Sequence, residues 1–328
     1  MDLTAQLGER FGSRPLEASQ VRPWTVMLAA VEAADQTGEH LGEADLLALL
    51  SGPNIDVSRG SIAVYDGDAM VADALLESAA SADPVHQMRL YADVHPAYRG
   101  LGIGSALLAW AEEAALPLHA ERFAGRPLSL DAGCLATNSA ALELLSANGY
   151  RPARWFHHMV CSLSGDDLPE VPVPPDVRVV ALTQDRIADA RLIRNEAFRD
   201  HWGSTQQSME AWEHRVREPS FRPGYSFLAY AGTEPLSLVF GREYDAHTRE
   251  TGERELYVAT VATRRAGRGR GIASALIARA LAAARADGFG SASLDVDADS
   301  MTGALGLYQR LGFAVRLTSV AHEKVLIP

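Results

Sequence analysis

The feature that most constrains the fold of this chain is a glycine-rich segment that occurs twice. The first copy is Arg99-Gly-Leu-Gly102-Ile-Gly104 and the second is Arg268-Gly-Arg-Gly271-Ile-Ala273, and each lies between an apolar run and a long amphipathic stretch. Successive small residues let backbone N–H groups converge on an anion, and the start of the following helix adds partial positive charge. Each copy therefore predicts a strand-to-helix turn that binds a pyrophosphate.

The order of predicted secondary structure also repeats around the two copies. Periodicity predicts two helices, a hairpin, and then strand, glycine loop, helix, strand, helix and strand in each half. The first half has helices at 23–35, 43–50, 103–115 and 139–147 and strands at 61–65, 70–76, 88–94, 128–132 and 155–163. The second half has helices at 185–198, 209–217, 272–286 and 303–311 and strands at 226–230, 236–244, 256–263, 293–296 and 314–325. This order predicts two α/β domains, each with a mixed sheet and helices on both faces.

A proline-rich segment separates the two halves. Four prolines between Pro169 and Pro175 cannot continue a helix or a sheet interior, so we expect a semi-rigid linker there. The predicted domains are residues 1–163 and 177–328, joined by a linker at 164–176. A chain of 328 residues is long enough for two such domains.

Composition excludes several classes of function. The net charge of -12 argues against a broad nucleic-acid or anionic-membrane surface and is compatible with a cationic small molecule. There is no apolar run near the ~20 residues that span a bilayer and no signal-peptide pattern, so we expect a cytoplasmic protein. We expect it to be a monomer or a homodimer. Cys134 and Cys161 lack metal-site spacing and indicate neither a disulfide framework nor a zinc site.

Two other phosphate-binding patterns do not fit the glycine loops. A dinucleotide GxGxxG pattern would need a third glycine where the chain has Ser105 and Ser274. Neither loop continues as Gly-Lys-Ser/Thr, which excludes a P-loop. A purely structural strand-to-helix turn remains the alternative for one copy, but two copies at matched places favour phosphate binding.

Both halves resemble the GCN5-related N-acetyltransferase (GNAT) family, whose signature Arg/Gln-x-x-Gly-x-Gly/Ala follows the fourth strand. A later segment agrees, because Asn138-Ser-Ala-Ala precedes Gly149-Tyr150, and Ser300 precedes Gly312-Phe313 in the second half. The tandem arrangement is similar to that of mycothiol synthase and related double-domain acetyltransferases. The resemblance implies two tandem folds with largely antiparallel mixed sheets, splayed fourth and fifth strands, and acetyl-CoA (coenzyme A) as cofactor.

The resemblance also implies which residues hold that cofactor. The pantetheine arm would bond to the backbone of strand four, and the pyrophosphate would lie on the glycine loop. In the second half these residues are Val261, Ala262, Thr263, Arg268, Gly269, Arg270, Gly271, Ile272, Ala273 and Ser274. In the first half they are Ala92, Asp93, Val94, Arg99, Gly100, Leu101, Gly102, Ile103, Gly104 and Ser105. The later segment adds Asn138 and Ser300, and Ser300 departs from the family because an asparagine is usual there.

The two halves differ in the expected proton donor for the leaving thiolate. In the family this donor is often a tyrosine four residues before the Gly-Phe pair, which is Tyr308 in the second half and Leu145 in the first. A leucine cannot donate a proton, so we expect catalysis in the second half and a cofactor-binding but degenerate first half. The alternative for Tyr308 is simple packing on the sheet.

The base that serves the acceptor remains open between two residues of strand four. Glu255 and Tyr257 share one strand face, and an ungapped count from the glycine loop favours Tyr257. A bulge, which is typical of this strand in the family, would shift the count by one. By the same count, the residues of the first half that correspond to Glu255 and Tyr257 are His86 and Met88, and His86 could act as a base. Glu243 is a rival base, and Glu255 could instead be a solvated charge.

The acceptor pocket is expected beside the connection between the first two helices of the second half. His201 and Trp202 lie there and could contact substrate or form a local packing cluster. The leading hypothesis is an acetyl-CoA-dependent acyltransferase that acts on the primary amine of a small metabolite, such as an aminosugar, an amino-acid-like compound or an amine antibiotic. The alternatives are a coenzyme A-binding sensor or scaffold, and an acetyltransferase for protein N-termini or lysines.

Overall fold

The computed structural model describes residues 3–165, 168–199, 201–300 and 303–328. Contacts divide the chain into two compact units. The first unit contains Met1–Arg154 and Ser319–Pro328, and the second contains Trp155–Thr318. The units therefore do not coincide with the two halves of the sequence, because each unit includes a strand from the other half.

The elements of the first half follow the predicted order and add several short ones. The helices are α1 Thr4–Leu7, α2 Val21–Asp35, α3 Glu43–Leu50, α4 Val57–Gly60, α5 Ile103–Phe123 and α6 Ser139–Ala147. The strands are β1 Phe11–Arg14, β2 Ser61–Asp66, β3 Ala69–Ser78, β4 His86–Val94, β5 Leu128–Leu135 and β6 Arg151–Ser162. Single 3-10 turns lie at Ala18–Gln20 and Pro96–Tyr98.

The second half repeats this series. The helices are α7 Ile187–Ala197, α8 Met209–Arg215, α9 Asp245–Thr251, α10 Ile272–Ala286 and α11 Ala304–Arg310. The strands are β7 Val177–Ala181, β8 Phe227–Ala231, β9 Glu234–Arg242, β10 Glu255–Thr263, β11 Ser291–Asp297 and β12 Ala314–Ile327. The 3-10 turns lie at Gln184–Arg186, Pro223–Tyr225 and Arg265–Gly267.

The sheet of the first unit has the strand order β1-β2-β3-β4-β5-β12. All neighbours are antiparallel except β4 and β5, which pair in parallel only as far as Leu90↔Ala132. The last strand comes from the far end of the chain, since β12 pairs with β5 from Ser319↔Leu135 to Ile327↔Leu128. Among the strands that the structure describes, residues Tyr91–Val94 of β4 therefore pair with β3 alone.

The sheet of the second unit has the same design, with the order β7-β8-β9-β10-β11-β6. The parallel pairing of β10 and β11 covers only Glu255↔Ser291, Leu256↔Ala292 and Tyr257↔Ser293. Beyond Ser293, β11 pairs with β6, which the first half of the sequence supplies, as far as Asp297↔Phe156. Beyond Tyr257, β9 is the one partner of β10 among the described strands. These sheets confirm the predicted fold class, including the splayed fourth and fifth strands.

Each sheet is covered by helices on both faces. In the second unit, one face packs against α10 and α11 through a core that includes Leu276, Leu281 and Leu294. The other face packs against α7 and α8 through Ile193, Trp212 and Phe240. The first unit is built in the same way, with Leu107 of α5 in one core and Trp24 of α2 in the other.

His86, the possible base of the first half, lies instead in a closed cluster of the first unit. It is fully buried, its Nδ1 lies 2.9 Å from Nδ1 of His119, and its Nε2 lies 3.0 Å from Ser78 Oγ. Burial, with the neighbouring His119, lowers the pKa of His86 to about 4. The interpretation of His86 as a stray base is therefore wrong, because the imidazole has no access to a substrate.

The exchange of strands predicts that the C-terminal ten residues stabilise the first unit. Deleting residues 319–328 would remove every β12 residue that pairs with β5, so amides of β5 should lose hydrogen-exchange protection by at least tenfold, or about 1.4 kcal/mol. Amides of β11 should keep theirs. The exposed Val315 lies on the same strand, and Val315→Ser is the control. Unchanged protection of β5 after the deletion would show that the exchange does not exist.

The buried histidine pair predicts an acid-sensitive first unit. Because the pKa of His86 is lowered in the folded state, its contribution is present above the unfolded pKa of ~6.5 and is lost as pH falls toward 4. For this residue alone, the free energy of unfolding should decrease by about 2 kcal/mol between pH 7 and pH 5. Urea denaturation at both pH values measures this. The His86→Phe variant should show a smaller decrease, and an equal decrease in both proteins would contradict the assignment.

Candidate functional site

The two glycine loops have the same backbone geometry. In the second unit Arg268 is extended (φ -69°, ψ 151°), and Gly269 and Gly271 have φ of 73° and 75°. In the first unit Arg99 has φ -69° and ψ 153°, and its two glycines have φ of 77° and 85°. These positive φ values are costly for residues with a Cβ, so the glycines are required by the turn.

This turn leaves donors available at the start of α10. The first main-chain bond of the helix runs from Ala275 N–H to the Gly271 carbonyl, so the N–H groups of Ile272, Ala273 and Ser274 have no acceptor within the helix. Gly271, at the N-cap, provides no side-chain cap. The Arg268 side chain donates to two carbonyls, those of Thr263 (3.2 Å) and Ala197 (3.3 Å), and no carboxylate among the described residues forms an ion pair with it. The loop therefore offers converging donors and positive charge to an anion.

The free edge of β10 lies directly before this loop. Arg264 N–H donates to the Leu236 carbonyl of β9. In an antiparallel pair, every second residue directs its backbone N–H and C=O groups to the partner strand, so Ala262, two residues before Arg264, also directs its groups toward β9. The Ala262 carbonyl also accepts from Ser237 Oγ at 2.9 Å. The backbone N–H and C=O groups of Val261 and Thr263 therefore point to the other edge of β10, where the pairing with β11 has already ended. Among the three predicted backbone contacts, this geometry favours Val261 and Thr263.

A β-bulge interrupts β10 where the strands separate. The register with β9 shifts between Val258 and Thr260, so Ala259 is the additional residue. Before the bulge, Leu256 and Val258 face the α10 core, and after it Ala262 faces the α7 core. Glu255 and Tyr257 consequently lie on the α7 and α8 face of the sheet. The expected bulge is present, and it decides which strand residues reach that face.

Tyr308 lies on the opposite face of the sheet, in the core beneath α10 and α11. It is 7% exposed and packs edge-on against Phe313 with ring centroids 6.1 Å apart. Burial raises the pKa of Tyr308 to about 12, so its hydroxyl keeps its proton at neutral pH. The hydroxyl is therefore a neutral O–H donor in the α10 core, on the face of the sheet away from Glu255 and Tyr257.

The α7 and α8 face carries a row of polar groups at the end of the β10–β11 pairing. Glu255 accepts a hydrogen bond from Ser293 Oγ at 2.7 Å. The Tyr257 hydroxyl donates to Asp295 Oδ2 at 2.8 Å, and Asp295 Oδ1 lies 3.1 Å from His158 Nδ1. Three strands, β10, β11 and β6, thus contribute polar side chains to this row.

The predicted acceptor residues lie next to this row. The Trp202 ring lies 6.3 Å from the ring of Phe156 on β6, and His201 Nε2 lies 3.9 Å from Asp297 on β11. His201 also contacts the ring of Phe198, at 5.1 Å between centroids. The structure therefore brings Glu255, Tyr257, His201 and Trp202 to the same face of the sheet.

Glu243 is not part of this group. It is buried and forms ion pairs with Arg254 (2.7 Å) and Arg222 (2.8 Å), and Arg254 stacks on Phe289 of the α10 core. Burial would raise the pKa of Glu243, but the hydrogen bonds from Arg254 and Arg222 outweigh it and lower the pKa. A carboxylate held between two guanidinium groups on the other face cannot serve as the base, so the interpretation of Glu243 as a rival base is wrong.

Two residues of the later segment have structural contacts. Asn138 is the N-cap of α6, where its side-chain oxygen accepts from Ala141 N–H at 3.1 Å. Ser300 lies in the turn before α11, and its N–H donates to the Asp297 carbonyl at 3.1 Å. These contacts explain the local turns, and the predicted cofactor contacts of both residues remain predictions.

The first unit lacks three features of the second. Leu145 occupies the core position of Tyr308, and β4 pairs with β3 without a bulge. Arg99 forms a bidentate ion pair with Asp35, at 2.7 Å for both bonds, so a carboxylate neutralises the arginine of that loop. Without a bulge, Gln87 and Arg89 rather than His86 and Met88 are the counterparts of Glu255 and Tyr257, because Met88 lies in the α5 core.

Several functional candidates were not predicted from the sequence. Ser293, Asp295 and Asp297 alternate along β11, and this period-two polar pattern could have identified them. His158 and Phe156 had no such signal, because their strand belongs by sequence to the first half. Among the described residues, no cluster of three or more His, Cys, Asp or Glu side chains fits a metal ion. None of the described helices is long and apolar enough to cross a membrane.

Comparison with known proteins agrees with this architecture. Residues 58–152 match the model described as "Acetyltransferase (GNAT) domain", and residues 187–313 match "Acetyltransferase (GNAT) family". The chain is 30% identical to a mycothiol acetyltransferase of Streptomyces scabiei over 320 residues, covering 96% of this chain and 95% of the relative. It is also 30% identical to that of Nocardia farcinica over 332 residues, covering 98% of each chain.

Solved structures show the same tandem fold. A GCN5-related N-acetyltransferase from Sphaerobacter thermophilus superposes with a TM-score of 0.76 at 25% identity, covering 98% of this chain and 97% of its own. A tandem GNAT protein from the clavulanic acid biosynthesis pathway has a TM-score of 0.73 at 16% identity, covering 97% and 99%. The chain therefore belongs to the GNAT acetyltransferase family, with two GNAT domains in tandem.

Proposed function

We propose that this acetyltransferase transfers the acetyl group of acetyl-CoA to a primary amine of a small metabolite, and that the second unit carries the reaction. The observation that carries the proposal is the end of the β10–β11 pairing at Tyr257↔Ser293. A free strand edge leads to it from the glycine loop, a protonated tyrosine lies on one face, and the row of polar groups that includes Glu255 and Asp295 lies on the other. They match the needs of acyl transfer to an amine, which are a bound thioester, a proton donor for the leaving thiolate and a proton acceptor for the amine.

The residues of the second unit fit coenzyme A. The backbone groups of Val261 and Thr263 can pair with the amides of the pantetheine arm as a neighbouring strand would. The N–H groups from Gly269 to Ser274 and the charge of Arg268 can hold the pyrophosphate. When bound, acetyl-CoA would supply the activated acetyl group.

The side chains can then move the two protons of the reaction. Glu255, oriented by Ser293, accepts a proton from the acceptor nitrogen as the new C–N bond forms. Tyr308 donates its proton to the sulfur as the C–S bond breaks, which yields the amide and free coenzyme A thiol. Proton exchange with solvent restores both residues. Burial keeps the Tyr308 hydroxyl protonated at neutral pH, so the proton is present when the C–S bond breaks, and the pKa of about 12 makes this phenol a weaker acid than a free tyrosine.

The character of the acceptor follows from the charges on the α7 and α8 face. Glu255, Asp295 and Asp297 lie there with the rings of Trp202 and Phe156. Carboxylates favour an ammonium group, and aromatic rings pack against its apolar neighbours. The relatives' name directs the first test to the desacetylated form of mycothiol, followed by a panel of aminosugars and amino-acid-like amines.

The two glycine loops allow a matched test of which unit carries turnover. Gly271→Glu and Gly102→Glu impose the same strain, since both glycines have positive φ and an added Cβ would meet nothing within 4 Å. Gly271→Glu should weaken acetyl-CoA binding to the second unit at least tenfold, because the carboxylate repels the pyrophosphate. Turnover should fall together with acetyl-CoA binding in Gly271→Glu and should persist in Gly102→Glu. Calorimetry and coenzyme A release measure both, and the reverse pattern would assign the chemistry to the first unit.

The hydroxyl of Tyr308 is expected to be essential for the chemical step. Tyr308→Phe should lower kcat by roughly 10²–10³-fold with little change in the KM for acetyl-CoA, because only the proton donor is lost. Tyr225→Phe is the matched control, since Tyr225 is also 7% exposed in the same core and donates to Asp287 instead. A Tyr308→Phe enzyme that retains more than about a third of kcat, with chemistry rate-limiting, would make Tyr308 a packing residue.

A further inference from the structure

The row on the α7 and α8 face includes a chain of three hydrogen-bonded side chains from three strands. Tyr257 Oη donates to Asp295 Oδ2 at 2.8 Å, and Asp295 Oδ1 lies 3.1 Å from His158 Nδ1. Asp295 and His158 are direct partners in the β11–β6 register. Both oxygens of one carboxylate are thus engaged, one by a candidate site residue and one by an imidazole.

Counting donors fixes the orientation of each group. An ionised carboxylate only accepts hydrogen bonds, so the single phenolic proton of Tyr257 is directed at Asp295 and Nδ1 of His158 carries a proton. Because its one proton is directed at Asp295, the Tyr257 oxygen can bind another group only by accepting a hydrogen bond. Tyr257 is also the last β10 residue that pairs with β11, so it lies where the two strands begin to separate. An acceptor oxygen at that point matches the N–H groups of an amine.

His158 determines whether this arrangement persists. The Asp295 side chain is 45% exposed, whereas His158 is 26% exposed, so the imidazole is the better shielded partner. If Asp295 were bonded to Tyr257 alone, its half-exposed carboxylate could rotate toward water. The second bond, to His158, opposes that rotation because each carboxylate oxygen then has a partner. Without the histidine, the phenolic proton of Tyr257 is freer to turn toward the gap, where it would oppose the N–H of an amine.

We propose that His158, acting through Asp295, is a positioning residue that keeps the Tyr257 oxygen oriented to accept a hydrogen bond from the acceptor amine. This inference rests on the proposed function and adds a residue that the first half of the sequence supplies to the site of the second unit. His158 touches neither reacting group. Its effect on the acceptor passes through two hydrogen bonds.

The test is a double-mutant cycle with a control on the same strand. His158→Gln should lower kcat/KM for the acceptor about tenfold, mainly through KM, and should leave the KM for acetyl-CoA unchanged. Asp295→Asn should have a similar effect. His157→Gln is the matched control, because His157 lies on the other side of β6 and contacts Thr318 Oγ1 at 3.0 Å. Thermal unfolding verifies that each variant is folded.

The cycle with Tyr257→Phe decides the route of the effect. If His158 acts through the Tyr257 hydroxyl, adding His158→Gln to Tyr257→Phe should cost less than about twofold. The inference is overturned if His158→Gln resembles His157→Gln, or if its tenfold cost persists without the hydroxyl. Either result would leave the proposed function intact if Glu255→Gln loses turnover, because that function depends on Glu255 as the base and not on His158. Absence of turnover in the wild-type protein with every amine tested would overturn both.

Discussion

The site depends on the point at which β10 and β11 stop pairing. After Tyr257↔Ser293, β11 continues along β6 and β10 continues along β9, so each strand is held by its outer neighbour while the edge between them stays open. Backbone N–H and C=O groups at such an edge require partners, which makes it a natural place for an extended, amide-containing ligand. The bulge at Ala259 lies at this point and turns Glu255 and Tyr257 to the face where the acceptor would bind.

Each of the two repeats supplies one strand to the sheet of the other, since β6 pairs with β11 and β12 pairs with β5. Two side-by-side copies of one domain would not need this exchange. The second unit receives His158 and Phe156 from the first half of the sequence, and the first unit receives Ser319–Ile327 from the second half. Neither repeat, cut at the proline-rich segment, would contain its complete sheet. This dependence gives a physical reason to retain the first repeat, even though Leu145 stands where the second repeat has Tyr308, the proposed proton donor, and Asp35 neutralises Arg99.

The strongly periodic elements were predictable from the sequence, because local patterns determine them. The helices α3, α6 and α10 have the predicted bounds, and both glycine loops have the expected geometry. The prediction for α5 ended before Pro117, whereas the helix continues to Phe123, since Leu118 and His119 are buried against the sheet. The short edge strands β1 and β7 and the helix α9 carried too few residues for a pattern.

The parts of the site that were missed depend on pairing between distant residues. No local signal shows that Ala259 is the additional residue of a bulge or that β6 pairs with β11. The sequence therefore left the base open between Glu255 and Tyr257 and proposed Glu243 as a rival, although Arg222 and Arg254 hold Glu243 on the other face.

The most direct test of the central claim is a crystal structure of the protein with acetyl-CoA. The account predicts the thioester between β10 and β11, its sulfur within about 3–3.5 Å of Tyr308 Oη, and the acetyl carbon open to the face that carries Glu255. A cofactor bound along β10 with its sulfur far from Tyr308, or bound only along β4 beside Leu145, would contradict the assignment of the chemistry to the second unit.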